Sequence, residues 1–201
     1  MIPYFALPEL DRHAVLAAMA PPKTIGSREV HAAIERLAAA IGARHRATEG
    51  LLVLGIANGG IALARRLCTS LGIKRVGDLD ISFHRDDIGK HPIPKEFTPT
   101  LLPGDVNGAH VLLVDDVLFT GRTVKAALDE LFDHGRPATV ELAVLVDRLS
   151  HRLPVAADFA GLTLKASEDQ DVVVSLRDDP AGDRIVIQPR TPRALSAAAV
   201  R

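Results

Sequence analysis

The stretch VLLVDDVLFTGRT runs from Val111 to Thr123 and places two adjacent carboxylates, Asp115 and Asp116, at the end of an apolar run, followed by Thr-Gly-Arg-Thr. Paired acids beside a buried strand lose hydration and repel each other, so their presence there calls for a bound partner. Phe119, Thr120, Gly121, Arg122 and Thr123 then lead into a helical pattern. Successive backbone N–H groups, two hydroxyls and the positive end of a helix dipole thereby converge on one spot, an anion site sized for a phosphate. Gly121 lets the backbone approach closely. Carboxylates beside a phosphate cradle repel the ligand unless they accept hydrogen bonds from hydroxyls or lie near a divalent cation. A sugar phosphate offers both solutions: the acids hold ribose hydroxyls while Mg²⁺ bridges other oxygens.

Competing motifs fail on spacing. The chain lacks G-x-x-x-x-G-K-[ST], and Gly55-Ile56-Ala57-Asn58-Gly59-Gly60 does not satisfy G-x-G-x-x-G, which excludes a P-loop and a dinucleotide fingerprint. A signalling receiver domain also ends an apolar strand in paired acids, but near its start, whereas more than half of this chain precedes Asp115. A solvated strand end followed by a helix cap is the plainer reading of the same residues. His84 and His91 have no third ligand at a spacing suited to a metal. Cys68 lies within a helical pattern, where it reads as core and not as a nucleophile.

The elements that must position these residues follow from periodicity. LLVLGIA, residues 51–57, is a continuous apolar run of strand length that ends in Asn58-Gly59-Gly60, and IALARRLCTSLG then reads as a helix stopped by Gly72. VGDLDISFHRDD alternates at Leu79, Ile81 and Phe83, VLLVDD is another apolar strand, TVKAALDELFDHG is a helix closed by Gly135, and TVELAVLV is a further strand. This alternation predicts an α/β fold with ligands at the carboxyl ends of parallel strands. Upstream, SREVHAAIERLAAAIGAR predicts a helix with Ser27 as N-cap, Glu29 in the first turn and Gly42 as its stop. Residues 86–108 hold four Pro, three Gly and no period, the pattern of a lid between two ordered strands. Towards the end, VVVSL, the polar turn RDDPAGD and RIVIQP predict a hairpin against the sheet edge.

At 201 residues the chain suits a single domain, 1–201, with an N-terminal helical part at 1–46, a flexible lid loop at 84–108 and a loose tail at 189–201. The 24 basic and 25 acidic side chains are dispersed, which gives no broad nucleic-acid footprint in the sequence. With 3% aromatic residues and no Trp, stacking platforms for single strands are sparse. One cysteine excludes an internal disulfide and fits a reducing cytoplasm; no apolar run reaches membrane-spanning length.

VLLVDDVLFTGRT resembles the thirteen-residue phosphoribosyl pyrophosphate (PRPP) motif of type I phosphoribosyltransferases. Three more stretches, LDISFHRDDI, FDHGRPATVELAVLVDR and LPVAADFAG, are similar in order and spacing to the bifunctional pyrimidine-operon regulator and uracil phosphoribosyltransferase family, the PyrR type. The likeness runs from about residue 51 to about 176. It implies a parallel sheet flanked by helices, a long flexible catalytic loop and a small C-terminal β hairpin. The implied reaction transfers phosphoribose from PRPP to uracil, giving UMP and pyrophosphate, with Mg²⁺ bound alongside PRPP and no fixed protein ligand assigned to it. In some members it is joined by regulation of pyrimidine genes through nucleotide-dependent binding of leader RNA.

The resemblance also distributes roles. Val111, Leu112, Leu113, Val114, Asp115, Asp116, Val117, Leu118, Phe119, Thr120, Gly121, Arg122 and Thr123 form the PRPP motif. Within it Asp115 and Asp116 hold the ribose hydroxyls, and Thr120 to Thr123 hold the 5-phosphate. Ala57, Asn58, Gly59 and Gly60 occupy the pyrophosphate loop, where many members carry Thr-Arg-Gly. Gly59 at the arginine position removes a charge-assisted contact of roughly 1.5–3 kcal/mol. His84, Arg85, Asp86 and Asp87 match the start of the catalytic loop, with Arg85 gripping pyrophosphate, so that Asp115, Asp116 and Arg85 form the catalytic set. The base belongs at the end of TVELAVLV, against Val146, Asp147 and Arg148; many members continue with Gly-His-Arg, where this chain has Leu149-Ser150-His151. These departures leave two alternatives open: a nucleotide-sensing RNA-binding regulator with little catalysis, and a phosphoribosyltransferase for another base such as hypoxanthine or guanine. Self-association as a homodimer or higher homo-oligomer, a cytoplasmic location and no membrane partner complete the expectations.

Overall fold

The computed structural model describes residues 21–45, 50–57, 59–82 and 99–190. In chain order the elements are β1 (Lys23–Ile25), α1 (Ser27–Arg44), β2 (Leu51–Ile56), α2 (Gly59–Leu71), β3 (Val76–Leu79), β4 (His110–Leu118), α3 (Arg122–His134), β5 (Thr139–Asp147), β6 (Phe159–Thr163), β7 (Gln170–Ser175), a 3₁₀ turn (Pro180–Gly182) and β8 (Arg184–Pro189). Strands β2, β4 and β5 are near-continuous apolar runs because both of their faces are covered. They lie at the centre of a five-stranded sheet of order β3-β2-β4-β5-β6, parallel throughout.

Side chains alternate between two cores, as the pleat dictates. Leu51, Val53, Leu112, Val114, Ala143 and Leu145 pack with α1 and α2 on one face. Leu52, Leu54, Val111, Leu113, Leu142 and Val144 pack with α3 on the other. Each fully buried leucine contributes roughly 1.5–3 kcal/mol to holding the strands in register. This is the α/β parallel sheet flanked by helices that the sequence predicts.

Several local expectations are corrected. The N-cap of α1 is Gly26 and not Ser27; its carbonyl accepts from the N–H groups of Glu29 and Val30, each at 3.2 Å, and no side chain caps the helix. Gly42 does not stop α1, which continues to Arg44, because that position faces the Leu71 side chain of α2. β3 ends at Leu79, short of the predicted strand, because Leu101 returns to pair with Asp78: the Leu101 N–H donates to the Asp78 carbonyl at 2.7 Å and the Asp78 N–H to the Leu101 carbonyl at 3.0 Å. Asp80 then turns the chain by accepting from the N–H and hydroxyl of Ser82. Phe83 lies outside the described residues.

Of the loop expected over 84–108, residues 84–98 also lie outside the described residues. Its later part, 99–108, packs on the sheet: Val106 is buried, and the Thr100 hydroxyl accepts from the Asp80 N–H and donates to Glu130 on α3. Strand β6, FAGLT, escaped the sequence reading because it is only five residues long with Gly161 at its centre. The predicted hairpin forms from β7 and β8, but away from the edge of the parallel sheet. The short strand β1 pairs with β8 and makes a separate three-stranded antiparallel sheet of order β1-β8-β7.

Asp183, just before β8, fastens this small sheet to the helices. Its side chain is 0% exposed; it pairs with Arg66 of α2, lies 3.0 Å from His31 Nε2 of α1 and accepts the Arg177 N–H at 2.8 Å. Arg66 also donates to the Arg177 carbonyl. Burial alone would raise the Asp183 pKa, but Arg66, the Arg177 N–H and His31 together hold it below the ordinary value.

Candidate active site

Asp115 and Asp116 lie within β4, opposite the carboxyl-terminal part of β5: Asp115 pairs with Val144 and Leu118 with Asp147. Asp115 is 5% exposed and its carboxylate accepts the Asp116 N–H at 3.0 Å. Burial, and next the neighbouring Asp116 charge, push Asp115 well above the usual carboxylate range; burial raises Asp116 as well. The Asp116 carboxylate reaches across to the first residue of α2. A Cβ on Gly59 would overlap that carboxylate, and one on Gly60 would run into the Val114 carbonyl. A residue larger than glycine at 59 would displace the Asp116 carboxylate, whereas at 60 the obstacle is backbone.

Five residues past Asp116 the chain turns sharply. Gly121 adopts φ +89°, a left-handed conformation that glycine reaches without steric cost, and α3 starts at Arg122. The Thr120 carbonyl accepts from the N–H groups of Arg152 and Leu153, each at 3.1 Å, which pins the turn from the other side. Thr123 is exposed in the first turn of α3, whose leading N–H groups have no intrahelical acceptor. Hydroxyl, amides and dipole thus lie together at the helix start. Val111, Leu112, Leu113, Val114 and Leu118 are buried in the two cores, and Val117 is partly buried against one of them. These six hold the acids in place.

At the end of β5, Val146 is 0% exposed. The Asp147 carboxylate accepts the Leu149 N–H at 2.7 Å and lies 2.8 Å from His151 Nε2, which ties it into its own turn. Leu149 takes φ +55°, a left-handed conformation at the position where the resemblance has glycine. Arg148 is 3% exposed, with its guanidinium 3.8 Å above the Phe119 ring centroid and Nη2 donating to the Ser167 carbonyl at 2.9 Å. Burial, then the nearby Arg190 charge, lower its pKa.

A cavity of about 270 Å³ opens beside Asp116, lined by Gly59, Ala62, Asp116, Val174, Ser175, Leu176 and Arg177. The geometry therefore unites Asp116 with Gly59 of the expected pyrophosphate loop, and neither Val146, Asp147 nor Arg148 is among the lining. Asn58 and Arg85 lie outside the described residues. Residues 174–177, from the end of β7 onward, line this cavity without having stood out in the sequence. VVVSL reads only as a strand, and a wall that offers backbone groups has no side-chain signature. Among the described residues no group of three or more His, Cys, Asp or Glu could hold a metal ion. Two hard carboxylates whose remaining partners would be phosphate and sugar oxygens nevertheless suit Mg²⁺.

Residues 26–180 match the family model described as "Phosphoribosyl transferase domain", and the chain belongs to that family. Its relatives there are proteins named "Bifunctional protein PyrR". The one from Ralstonia nicotianae is 44% identical over 141 residues, 69% of this chain and 81% of the relative. The one from Chloroflexus aurantiacus is 41% identical over 169 residues, 81% of this chain and 92% of the relative. Among solved structures, a purine phosphoribosyltransferase from Pyrococcus horikoshii superposes with a TM-score of 0.55 at 26% identity, covering 70% of this chain and 86% of the other. A hypoxanthine phosphoribosyltransferase from Trypanosoma cruzi reaches a TM-score of 0.60 at 20% identity, covering 84% and 91%, a likeness of fold. Among the described residues no helix is long and apolar enough to cross a membrane.

Proposed function

We propose that the chain transfers phosphoribose from PRPP to uracil, forming UMP and pyrophosphate, and also regulates pyrimidine genes. The observation that carries this reading is an acid pair, Asp115 buried and Asp116 half-buried, held between a helix start suited to an anion and a cavity that opens on the second acid. The 5-phosphate sits on the Thr120, Gly121, Arg122 and Thr123 turn, and the ribose hydroxyls replace water as the partners of Asp115 and Asp116. The base lies in the cavity beneath β7, which is just below the roughly 300–1,000 Å³ usual for ligand pockets and suited to one planar ring. Strand β7 is an edge of its sheet, so one row of its backbone donors and acceptors is left for a base edge. The names of the PyrR relatives and the implied family reaction favour uracil.

Bond cleavage at ribose C1 develops positive charge on the sugar ring. Holding PRPP at three points aligns the base with C1, and the walls of the cavity keep water from the cation. With both hydroxyls bound, the acids lie on the sugar and carry negative charge near the developing cation. When bound, Mg²⁺ would neutralise charge on the departing pyrophosphate, with Asp115 and Asp116 as the chain's oxygen donors nearest to it. No nucleophilic side chain is needed: Cys68 is buried, and burial raises its thiol pKa to about 11.

A second reading keeps the chemistry and changes the base, supported by the purine enzyme from Pyrococcus horikoshii. Magnesium-dependent release of pyrophosphate from PRPP, with uracil, orotate, hypoxanthine and guanine offered separately, tests both. Turnover with uracil alone supports the first; preference for a purine replaces it with the second. PRPP or UMP binding without turnover for any base favours a nucleotide-sensing regulator, for which a gel shift with pyrimidine-operon leader RNA and a scrambled control is the next step. A homodimer or higher homo-oligomer in the cytoplasm accompanies this proposal, and light scattering measures the former.

A further inference from the structure

Arg148, which the resemblance places at the base, is not among the residues that line the cavity, and its side chain joins two other parts of the molecule. Its N–H donates to the Leu118 carbonyl at 3.0 Å, which extends the β4–β5 ladder to the edge of the phosphate turn. Its guanidinium then stacks on Phe119, the residue just before Thr120, at 3.8 Å from the ring centroid. The far end of the same group donates to the Ser167 carbonyl at 2.9 Å and lies 3.5 Å from that of Ala166, in the segment that leads into β7. Arg190, just after β8, approaches the same ring at 5.6 Å while its Nε donates to Asp171 of β7 at 2.8 Å. One aromatic ring is thus flanked by two guanidiniums that are each tied to the small sheet. Arg148 Nε is buried without a hydrogen-bond partner, so the ring face and the two carbonyls are what hold this cation in the interior.

We propose that Phe119 and Arg148 are positioning residues that couple the phosphate turn to the strand lining the base cavity. This rests on the functional reading above. A rigid link of this kind makes the 5-phosphate and the base report to each other: a shift of β7 moves Ser167, Arg148 and Phe119, and with them the Thr120 hydroxyl and the start of α3. Arginine suits the task because its planar fork stacks on the ring and still presents donors to backbone carbonyls, which lysine cannot match.

The test uses Phe119→Leu, Phe119→Tyr, Arg148→Lys and the Phe119→Leu/Arg148→Lys pair, all in the full chain with Mg²⁺. Direct PRPP binding is followed by calorimetry, steady-state kinetics use uracil, and circular dichroism with thermal melting checks the fold. Phe119→Leu and Arg148→Lys each weaken PRPP binding and raise its KM about tenfold. The paired variant is no worse than the weaker single, because both remove one link. Phe119→Tyr, which keeps the ring, weakens PRPP binding less than Phe119→Leu does. Unchanged PRPP binding in both single variants, or losses that multiply in the pair, overturns the coupling. If Arg148→Lys does not fold, Phe119→Leu carries the test, since that ring is only partly buried. Failure of the parent protein to turn over any base overturns the functional reading instead, and the binding data still decide the coupling.

Discussion

Two buried carboxylate sites in this chain behave in opposite ways. Asp183 is enclosed but met by a guanidinium, a backbone N–H and an imidazole, and its pKa falls. At Asp115 burial and then the Asp116 charge dominate, at Asp116 burial outweighs the backbone N–H groups that it accepts from, and both pKa values rise. A buried charge is tolerated when its partners are built into the protein. Where those partners are missing, the protein bears a cost that a ligand removes, and carboxylates left in that state mark the binding end of the molecule. The first site fastens the small antiparallel sheet over the helices; the second waits beside the cavity that this sheet helps to line.

The largest effect is expected at the paired site. Asp183→Ala leaves Arg66 and His31 facing an empty acceptor and should destabilise the fold by about 3 kcal/mol, as the loss of one partner of a buried pair does. For a chain of this size that lowers Tm by about 6–12 °C, measurable by calorimetry. A depressed carboxylate pKa contributes stability above the ordinary value of 3.8, and this contribution is lost as pH falls through the folded value, so the deficit should shrink in acid. A melting curve identical to that of the parent at pH 7 would show that Asp183 is not the fastening.

Asp116→Asn should do the reverse, leaving the fold intact and damaging ligand use. Loss of one charge-assisted hydrogen bond to a ribose hydroxyl predicts about a 100-fold fall in kcat/KM for PRPP, about 2.7 kcal/mol. If kcat/KM is unaltered while Tm drops, the two sites have been assigned the wrong way round.

Asp115→Asn sharpens the contrast through pH. A carboxyl whose pKa rises on folding binds its proton more tightly in the native state, so native stability declines as pH climbs above 3.8. Removing the charge should therefore stabilise the protein at neutral pH by about 0.5–2 kcal/mol, the usual gain when a functional strain is relieved. The gain should vanish below the ordinary carboxylate value. Urea midpoints at pH 7.5 and in mild acid provide the comparison.

The two regions also differed in how far the sequence disclosed them. The parallel sheet and the phosphate turn were legible because periodicity, Gly121 and the acid pair are local signals within a few residues of one another. The closeness of α2 to the acids was not: Gly59 reads as a lost arginine in the chain, and its contact with the Asp116 carboxylate is visible only in the fold. The small sheet was read as a hairpin on the wrong support because β1, three residues long and distant in sequence, pairs with β8. Asp183 and Arg66 are 117 positions apart, and nothing in either neighbourhood points to the other. The place of Arg148 after Asp147 is visible in the sequence, whereas its stacking on Phe119 is not.

The smallest effect separates conformational strain from contact at the turn after β5. Leu149 is 54% exposed and held at φ +55° by the Asp147 carboxylate, which accepts its N–H. The left-handed conformation costs a residue with a Cβ roughly 1–2 kcal/mol. Glycine removes that strain but loses more chain entropy on folding, roughly 0.5–1 kcal/mol. Leu149→Gly should therefore stabilise the protein by about 0.5 kcal/mol, the difference between these opposing terms. Leu149→Ala, which keeps the Cβ, should give no gain. Urea midpoints for the two variants decide between the explanations. A gain with glycine alone assigns the strain to the backbone, whereas a loss with both would mean that the leucine side chain makes a contact worth more than the strain it imposes. In that event the departure from glycine at this position would be a feature of the binding end, on the same footing as the acid pair.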